Sequence, residues 1–259
     1  MPDKYLRVHK LPQEVGKDEL IGSTVVVIDL LRATSTICQA LASGAREVVP
    51  FLEIDEALAA AKEADRAEIV LGGERSGGKI PGFDVGNSPD EYLPQVVGGK
   101  RVFITTTNGT RAMHHARQAS RVVLGCFLNL SAVVASIKGE PQIDILCAGT
   151  DGHETAEDIL AAGAVVHSLI YTKGALAEHQ ISQPAAMAAA AWKMVTLKAK
   201  REGRLINDEL AHTLRGTAGG RNLVAINLDQ DLVDCAQIDR YKIVPELDLT
   251  NWRITARQA

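Results

Sequence analysis

The sequence predicts an α/β fold of three layers, α/β/α, with helices covering both faces of mainly parallel sheet. Three observations point there. Short Val/Ile-rich runs, such as Ser23 to Leu31 and Ile143 to Ala148, are apolar almost throughout, as strands buried on both faces must be. Each run is followed by a polar loop and then by an amphipathic or Ala-rich stretch of helical length, a rhythm that indicates repeated strand–helix units. The chain has 259 residues, 46% of them apolar and only 4% aromatic. That length suits one large α/β domain or two small lobes, and Ala, Val, Leu and Ile must fill the core.

The elements follow in order. Ser23 to Leu31 is a strand, and Ala33 to Ser43 a helix that Gly44 stops. Glu47 to Leu52 is a strand, and the Ala-rich Asp55 to Ala64 a helix. Glu68 to Leu71 is a short strand ending at Gly72-Gly73. Arg101 to Thr105 is a strand followed by a helix from Gly109 to Ala119. Arg121 to Gly125 and Leu130 to Lys138 form the next pair. Ile143 to Ala148 leads into a long helix, Thr155 to Ala175. Pro184 opens a helix to Lys200, where its missing N–H costs nothing. The rhythm breaks between Gly203 and Asn222, with a short helix near Asn207 to Leu214 and a Gly-rich turn at Gly216 to Gly220. A last strand is expected at Tyr241 to Pro245. Val27 to Ala45 and Ile145 to Ala164 look loosely alike. The chain is therefore read as one unit over 1–259, with candidate lobes at 20–125 and 126–245.

Composition excludes several classes. The net charge is −4 and no block of like charge appears, so the basic stripe of a nucleic-acid binder is missing. No apolar run approaches the roughly 20 residues that span a membrane, and Met1 to Lys4 does not begin a signal peptide. Cys38, Cys126, Cys147 and Cys235 are far apart and form no CxxC. Reduced, buried cysteines in the cytoplasm are expected. A homodimer is compatible with the sequence, which does not fix the oligomeric state.

In open parallel sheets, ligands bind beyond the carboxyl ends of the strands. Polar residues collect at those points: Asp29, Arg32, Thr34, Ser35 and Thr36; Glu74, Arg75 and Ser76; Thr105 to Arg111; and Thr150, Asp151, His153, Glu157 and Asp158. Hydroxyls, guanidinium groups and carboxylates in that mixture suit a phosphate ester and a divalent metal. Thr105-Thr106-Thr107-Asn108-Gly109-Thr110-Arg111 resembles an anion site, because a Gly-containing loop entering a helix exposes free amides and Arg111 can bind bidentately. Thr106 or Asn108 could equally cap that helix. A carboxylate in an apolar strand end, as at Asp29, requires a partner: either a salt bridge to Arg32 or a hard metal. Thr155 with Asp158 fits a capping box, whereas Glu157 and Asp158 also fit metal ligation or acid–base work. Gly73 to Lys79 nearly has P-loop spacing, but Ile80 stands where a metal-binding hydroxyl is needed. A lid with one acidic and one basic anchor fits that stretch better.

Several of these stretches resemble the 2-phosphosulfolactate phosphatase family. They are Val27 to Thr36, Leu71 to Arg75, Pro81 to Pro89, Thr105 to Ala112, Cys147 to Thr150, and Glu157-Asp158 with Ala162-Gly163; weaker matches lie at Asn222-Leu223, Asp231, Cys235-Ala236 and Val244-Pro245. The resemblance covers nearly the whole chain. It implies a Mg2+-dependent hydrolase converting 2-phosphosulfolactate to sulfolactate and phosphate, a step toward coenzyme M, with two lobes of similar topology. It also adds Asp84, Asn87 and Ser88 as candidates.

The expected site therefore has Asp29, Glu74 and Asp158 as catalytic residues and Asp29, Glu74, Glu157 and Asp158 around Mg2+. Arg32, Thr34, Arg75, Asn87, Ser88, Thr107, Asn108, Gly109, Thr110, Arg111 and Thr150 would bind a small phosphoester. Attack could come from water activated at the cation or from Asp29 through a phospho-enzyme. A nucleotide-dependent kinase or ATPase and a non-catalytic anion-binding regulator are the rival readings.

Overall fold

The computed structural model describes residues 4–171 and 179–258. The order of elements is β1 (Tyr5–His9), β2 (Thr24–Ile28), α1 (Ala33–Ala42), β3 (Glu47–Phe51), α2 (Ile54–Glu63), β4 (Ile69–Arg75), β5 (Gly78–Lys79), α3 (Pro94–Val97), β6 (Arg101–Thr105), α4 (Gly109–His115), β7 (Arg121–Leu124), α5 (Leu130–Ile137), β8 (Gln142–Cys147), α6 (Ala156–Tyr171), β9 (Gln180–Ile181), α7 (Gln183–Glu202), α8 (Ile206–Arg215), α9 (Ala218–Ala225), α10 (Gln230–Cys235), β10 (Ile243–Asp248) and β11 (Arg253–Gln258). The expected helix at Thr155 to Ala175 is seen as α6, and its last residues lie outside the described ones.

The described strands form one mostly parallel sheet in the order β5-β4-β6-β3-β11-β10-β7-β2-β8-β1-β9. Two parallel blocks, β4-β6-β3 and β7-β2-β8-β1-β9, flank the antiparallel β10–β11 hairpin. Three antiparallel steps, β3–β11, β11–β10 and β10–β7, separate the blocks, so they run in opposite senses. The candidate boundary near residue 125 falls inside this sheet, because β2 pairs with both β7 and β8.

Alternation along the strands explains the layers. In β6, Val102 and Ile104 enter the main core, whereas Phe103 joins a second cluster with Ala57 of α2, Ile69, Leu71, Ile80 and Phe83. Successive side chains point to opposite faces, and both faces are covered. β2, Thr-Val-Val-Val-Ile, is buried at every position, which is why its sequence is apolar throughout.

Two glycine readings are corrected. β4 does not end at Gly72-Gly73 but runs through to Arg75. The glycines permit close approach: a Cβ on Gly72 would lie 2.1 Å from Tyr92 Oη, and one on Gly73 would lie 2.0 Å from the Thr105 carbonyl. The expected turn at Gly216 to Gly220 is largely α9, capped by Thr217, whose hydroxyl accepts from the Gly220 amide at 3.1 Å. Gly220 has no room for a Cβ, which would fall 1.8 Å from the Leu214 carbonyl. The sequence also hid β1, which lies between β8 and the short edge strand β9, and β11, which pairs with β10 as a hairpin.

A groove of about 870 Å³ is lined by Arg46, Arg101, Arg121, Arg253 and Arg257 among others. Its guanidinium groups are matched: Arg101 and Arg253 share Glu47, and Arg121 and Arg257 share Glu246. These links span β6-β3-β11 and β7-β10-β11, so the groove is a charge ladder that joins the two blocks.

Candidate active site

A smaller cleft of about 410 Å³ gathers the chemistry, with Asp29, Arg32, Glu74, Asn87, Thr107, Asn108 and Thr150 in its wall. Residues at the carboxyl ends of β2 and β8 in one block and of β4 and β6 in the other meet here.

Asp29 follows β2 and closes the turn into α1. Its Oδ1 accepts from the Ala33 amide at 3.1 Å, and its carbonyl accepts from the Thr34 amide and hydroxyl, both at 2.9 Å. Gly109 sits so close that a Cβ there would lie 2.8 Å from Asp29 Oδ2. Burial pushes the Asp29 carboxyl up to about 7; the Ala33 amide opposes this and the charges of Glu74 and Glu157 add to it. The salt bridge expected between Asp29 and Arg32 is not made. Arg32 Nη1 instead donates to Asp231 Oδ2 at 2.6 Å and to Ser88 Oγ at 2.9 Å.

Glu74 ties two segments together: Oε1 accepts from the Thr107 amide and Oε2 from the Gly77 amide, both at 2.8 Å. Gly73 to Lys79 is the β4–β5 hairpin, not a loop entering a helix, so the P-loop geometry is absent from it. Arg75 faces away from the cleft wall; it donates to the Glu74 and Leu52 carbonyls and to Thr105 Oγ1, each at 2.9 Å.

Thr106 caps the start of α4: its hydroxyl accepts from the Thr110 amide at 3.2 Å, and Thr110 Oγ1 donates back to the Thr106 carbonyl at 2.7 Å. Asn108 Oδ1 accepts from the Asp151 amide at 3.2 Å. Two amides of the expected anion loop are therefore already engaged, those of Thr107 and Thr110. Arg111 is exposed on α4 and does not line the cleft.

The Thr155–Asp158 capping box does not form. Asp158 Oδ1 accepts from the Leu30 amide at 2.8 Å and Oδ2 from the Gly149 amide at 3.0 Å, so this carboxylate pins two strand ends. Burial raises its pKa well above the ordinary value, and Asp29 and Glu157 add to the rise. Glu157 Oε1 accepts from the Gly219 amide at 3.1 Å, while Oε2 is buried without a partner. Asn87 Oδ1 and Thr107 Oγ1 are likewise buried without partners. Of the four orphaned side-chain atoms in the described residues, these three belong to candidate site residues, which is where a ligand would complete them.

The available donors are all oxygen, the set that a hard cation such as Mg2+ takes. Among the described residues, no three Asp, Glu, His or Cys side chains form a ready cage. Mg2+ needs only one or two carboxylates, with water and substrate oxygens completing its shell. Asp29 and Glu74, which line the cleft and keep further lone pairs beside the amides they accept from, and the free oxygen of Glu157 could supply them; Asp158 is engaged at both oxygens and stands outside the lining.

Sequence reasoning missed the wall built by α9 and the residue after it, with Gly219, Asn222 and Leu223 of the helix and then Ile226 in the lining. It also missed the role of Asp231. The only signals were the weak family matches at Asn222-Leu223 and Asp231.

The comparisons agree with the geometry. The chain matches the 2-phosphosulpholactate phosphatase family over residues 9–249. It is 38% identical over 229 residues to the "Probable 2-phosphosulfolactate phosphatase" of Symbiobacterium thermophilum, covering 88% of this chain and 92% of that one. It is 37% identical over 235 residues to the protein of the same name from Pseudothermotoga lettingae, covering 91% and 92%. Its match to the like-named protein of Caldanaerobacter subterraneus is 46% over 166 residues, 64% of this chain and 69% of the relative. With nearly its whole described length matched, and with Asp29, Arg32, Glu74, Asn87, Thr107 and Asn108 of its motifs in one cleft wall, the chain belongs to the 2-phosphosulfolactate phosphatase family, a family of phosphoric monoester hydrolases.

Proposed function

We propose that the protein is a Mg2+-dependent phosphatase that hydrolyses 2-phosphosulfolactate, a small and strongly anionic monoester, to sulfolactate and phosphate. One observation carries the reading. Among the described lining residues, Arg32 is the one cationic side chain, and it faces a wall that holds Asp29 and Glu74, with Glu157 close behind. A polyanion would be repelled by those carboxylates at short range unless a cation lay between them. Asp29, Glu74 and Glu157 would hold that cation, which when bound neutralises phosphoryl charge and polarises phosphoryl oxygens.

The chain's own groups then have distinct tasks. Arg32 offers its remaining N–H donors to the phosphoryl oxygens. The orphaned Thr107 hydroxyl donates to the substrate, and the orphaned Asn87 oxygen accepts from a water or from the hydroxyl of the sulfolactate product. Asp29 is oriented at Oδ1 by the Ala33 amide, and Oδ2 is left open beside Gly109, where a side chain would intrude. Asp29 so oriented is assigned to ligation, and attack to water rather than to a phospho-enzyme. Fixed donors aimed at developing charge supply much of the barrier reduction in such sites. The four cysteines are unpaired and buried, which fits a reducing cytoplasm, and no described helix is long and apolar enough to cross a membrane. Sulfolactate of this origin would feed a coenzyme M-type pathway.

The test is a phosphate-release screen of small acidic phosphoesters with and without Mg2+. Release from 2-phosphosulfolactate that stops on chelation is expected. Binding of the ester with no release would establish the regulator reading instead. An acid quench during turnover should trap no phosphate on Asp29.

A further inference from the structure

We propose that Asp231 is a positioning residue: it holds the Arg32 guanidinium toward the cleft and away from the Asp29 and Glu74 carboxylates. The inference rests on the phosphatase reading of this cleft. Arg32 and Asp231 are almost fully buried, with side chains 3% and 2% exposed. Arg32 Nη1 donates to Asp231 Oδ2 at 2.6 Å and to Ser88 Oγ at 2.9 Å; Ser88 Oγ donates to the same Asp231 oxygen at 2.8 Å. Arg32 Nη2 donates to the Gly77 carbonyl at 2.8 Å. One side of the guanidinium is thus closed by a triangle of fixed groups, and three of its five N–H donors are accounted for.

Arg32 lines the cleft, whereas Asp231 does not. Asp231 therefore acts through Arg32. It arrives from α10, 199 residues along the chain. A buried ion pair of this kind adds little net stability over an apolar replacement, so its worth here lies in geometry. The competing anions are near: Asp29 feels the Arg32 charge, and Glu74 shares the cleft wall. Without Asp231, Coulomb attraction draws the guanidinium onto these carboxylates. That withdraws its donors from the substrate and occupies oxygens that a cation needs.

The experiment measures phosphate release from 2-phosphosulfolactate with Mg2+, and binding of inorganic phosphate with Mg2+ by calorimetry. The proteins are wild type, Asp231→Asn, Asp231→Glu, Ser88→Ala, Arg32→Lys and the Asp231→Asn/Arg32→Lys double variant. Asp231→Asn should raise KM and the phosphate Kd roughly tenfold or more, with kcat changing less. Asp231→Glu should recover part of the loss, and Ser88→Ala should cost about threefold, since it removes one neutral hydrogen bond. In the Arg32→Lys background, Asp231→Asn should add less than about twofold, because both changes act through one contact. An equal effect in both backgrounds, or unchanged phosphate affinity in Asp231→Asn, overturns the proposal. If Asp231→Asn does not fold, wild-type phosphate affinity in Ser88→Ala overturns it. A wild type that binds phosphate but does not hydrolyse the ester removes the phosphatase reading, while the affinities still decide the role of Asp231. A wild type that binds no phosphate overturns the proposal.

Discussion

The Glu157 carboxylate occupies the space that a side chain at residue 219 would need. A Cβ built on Gly219 falls 2.1 Å from Glu157 Oε1, and the Gly219 amide donates to that same oxygen at 3.1 Å. The start of α9 thus fixes one oxygen of Glu157 and leaves the other unpartnered. Glycine admits this close approach, and a Cβ here would have to shift the end of the Glu157 side chain.

Gly219→Ala should therefore displace Glu157 or lift α9 from the cleft. The expected cost is about 1–3 kcal/mol of stability, the usual range for overpacking, with kcat/KM falling by about tenfold or more. Urea denaturation alongside steady-state kinetics checks both. An unchanged kcat/KM would separate Glu157 from the chemistry.

Arg32 and Arg111 looked equivalent in sequence, and they differ in place. Arg32 is buried in the cleft wall, and Arg111 is exposed outside it. Arg111→Ala should leave kcat/KM within about twofold, as surface changes usually do. Arg32→Ala should lower it by about a hundredfold or more, since it strands the buried Asp231 as well. Parallel kinetics on the two variants decides the assignment.

Acidity supplies a prediction about stability. Asp29 has a folded pKa of about 7 against 3.8 ordinarily, chiefly through burial. The folded state therefore binds this proton more tightly than the unfolded one. Raising pH from about 4 to about 7 removes that preference and destabilises the metal-free protein by up to a few kcal/mol. Asp158 is shifted in the same direction. Asp144 has the opposite sign. Burial pushes it up, but hydrogen bonds from His9 and Arg7 hold it below its ordinary value, so its contribution is present above pH 4 and lost only in acid. Thermal melts of chelated protein should give a higher Tm near pH 5 than near pH 8. Asp29→Asn should flatten the difference, and Mg2+ should raise Tm more at pH 8.

Asp144 is also a control. It is fully buried and accepts from Arg7 Nε at 2.8 Å, while His9 Nε2 lies at 2.7 Å. It belongs to β8, outside the cleft lining. Asp144→Ala should cost about 3 kcal/mol, the scale for breaking a buried pair, without changing KM. Chemical denaturation and kinetics on the same preparation check it.

What the sequence made legible was local. The unbroken run at β2 marked a buried strand, and Asp29 and Asn108 follow strands, as cleft residues should, with Glu74 next to last in β4. Local pattern misled at Gly72-Gly73 and at Gly216 to Gly220, because a glycine needed for close approach has the same letter as one that ends an element. Arg75 was misassigned because the partners that hold it are the Leu52 carbonyl and Thr105 on neighbouring strands. The Arg32–Asp231 pair spans 199 residues, and no periodicity or spacing rule joins two such positions. The opposed sense of the two parallel blocks was hidden for a related reason: β11 and its pairing with β3 are tertiary facts.

The central claim is that Asp29, Glu74 and Glu157 hold one divalent cation that lets a polyanion enter an acidic cleft. Calorimetric titration of Mg2+ into chelated wild type, Asp29→Asn and Glu157→Gln at pH 8 tests it most directly. One site in the wild type, weakened about tenfold or more in each variant, is the predicted result. Wild-type protein with no Mg2+ site, or variants that bind as well as wild type, would contradict it.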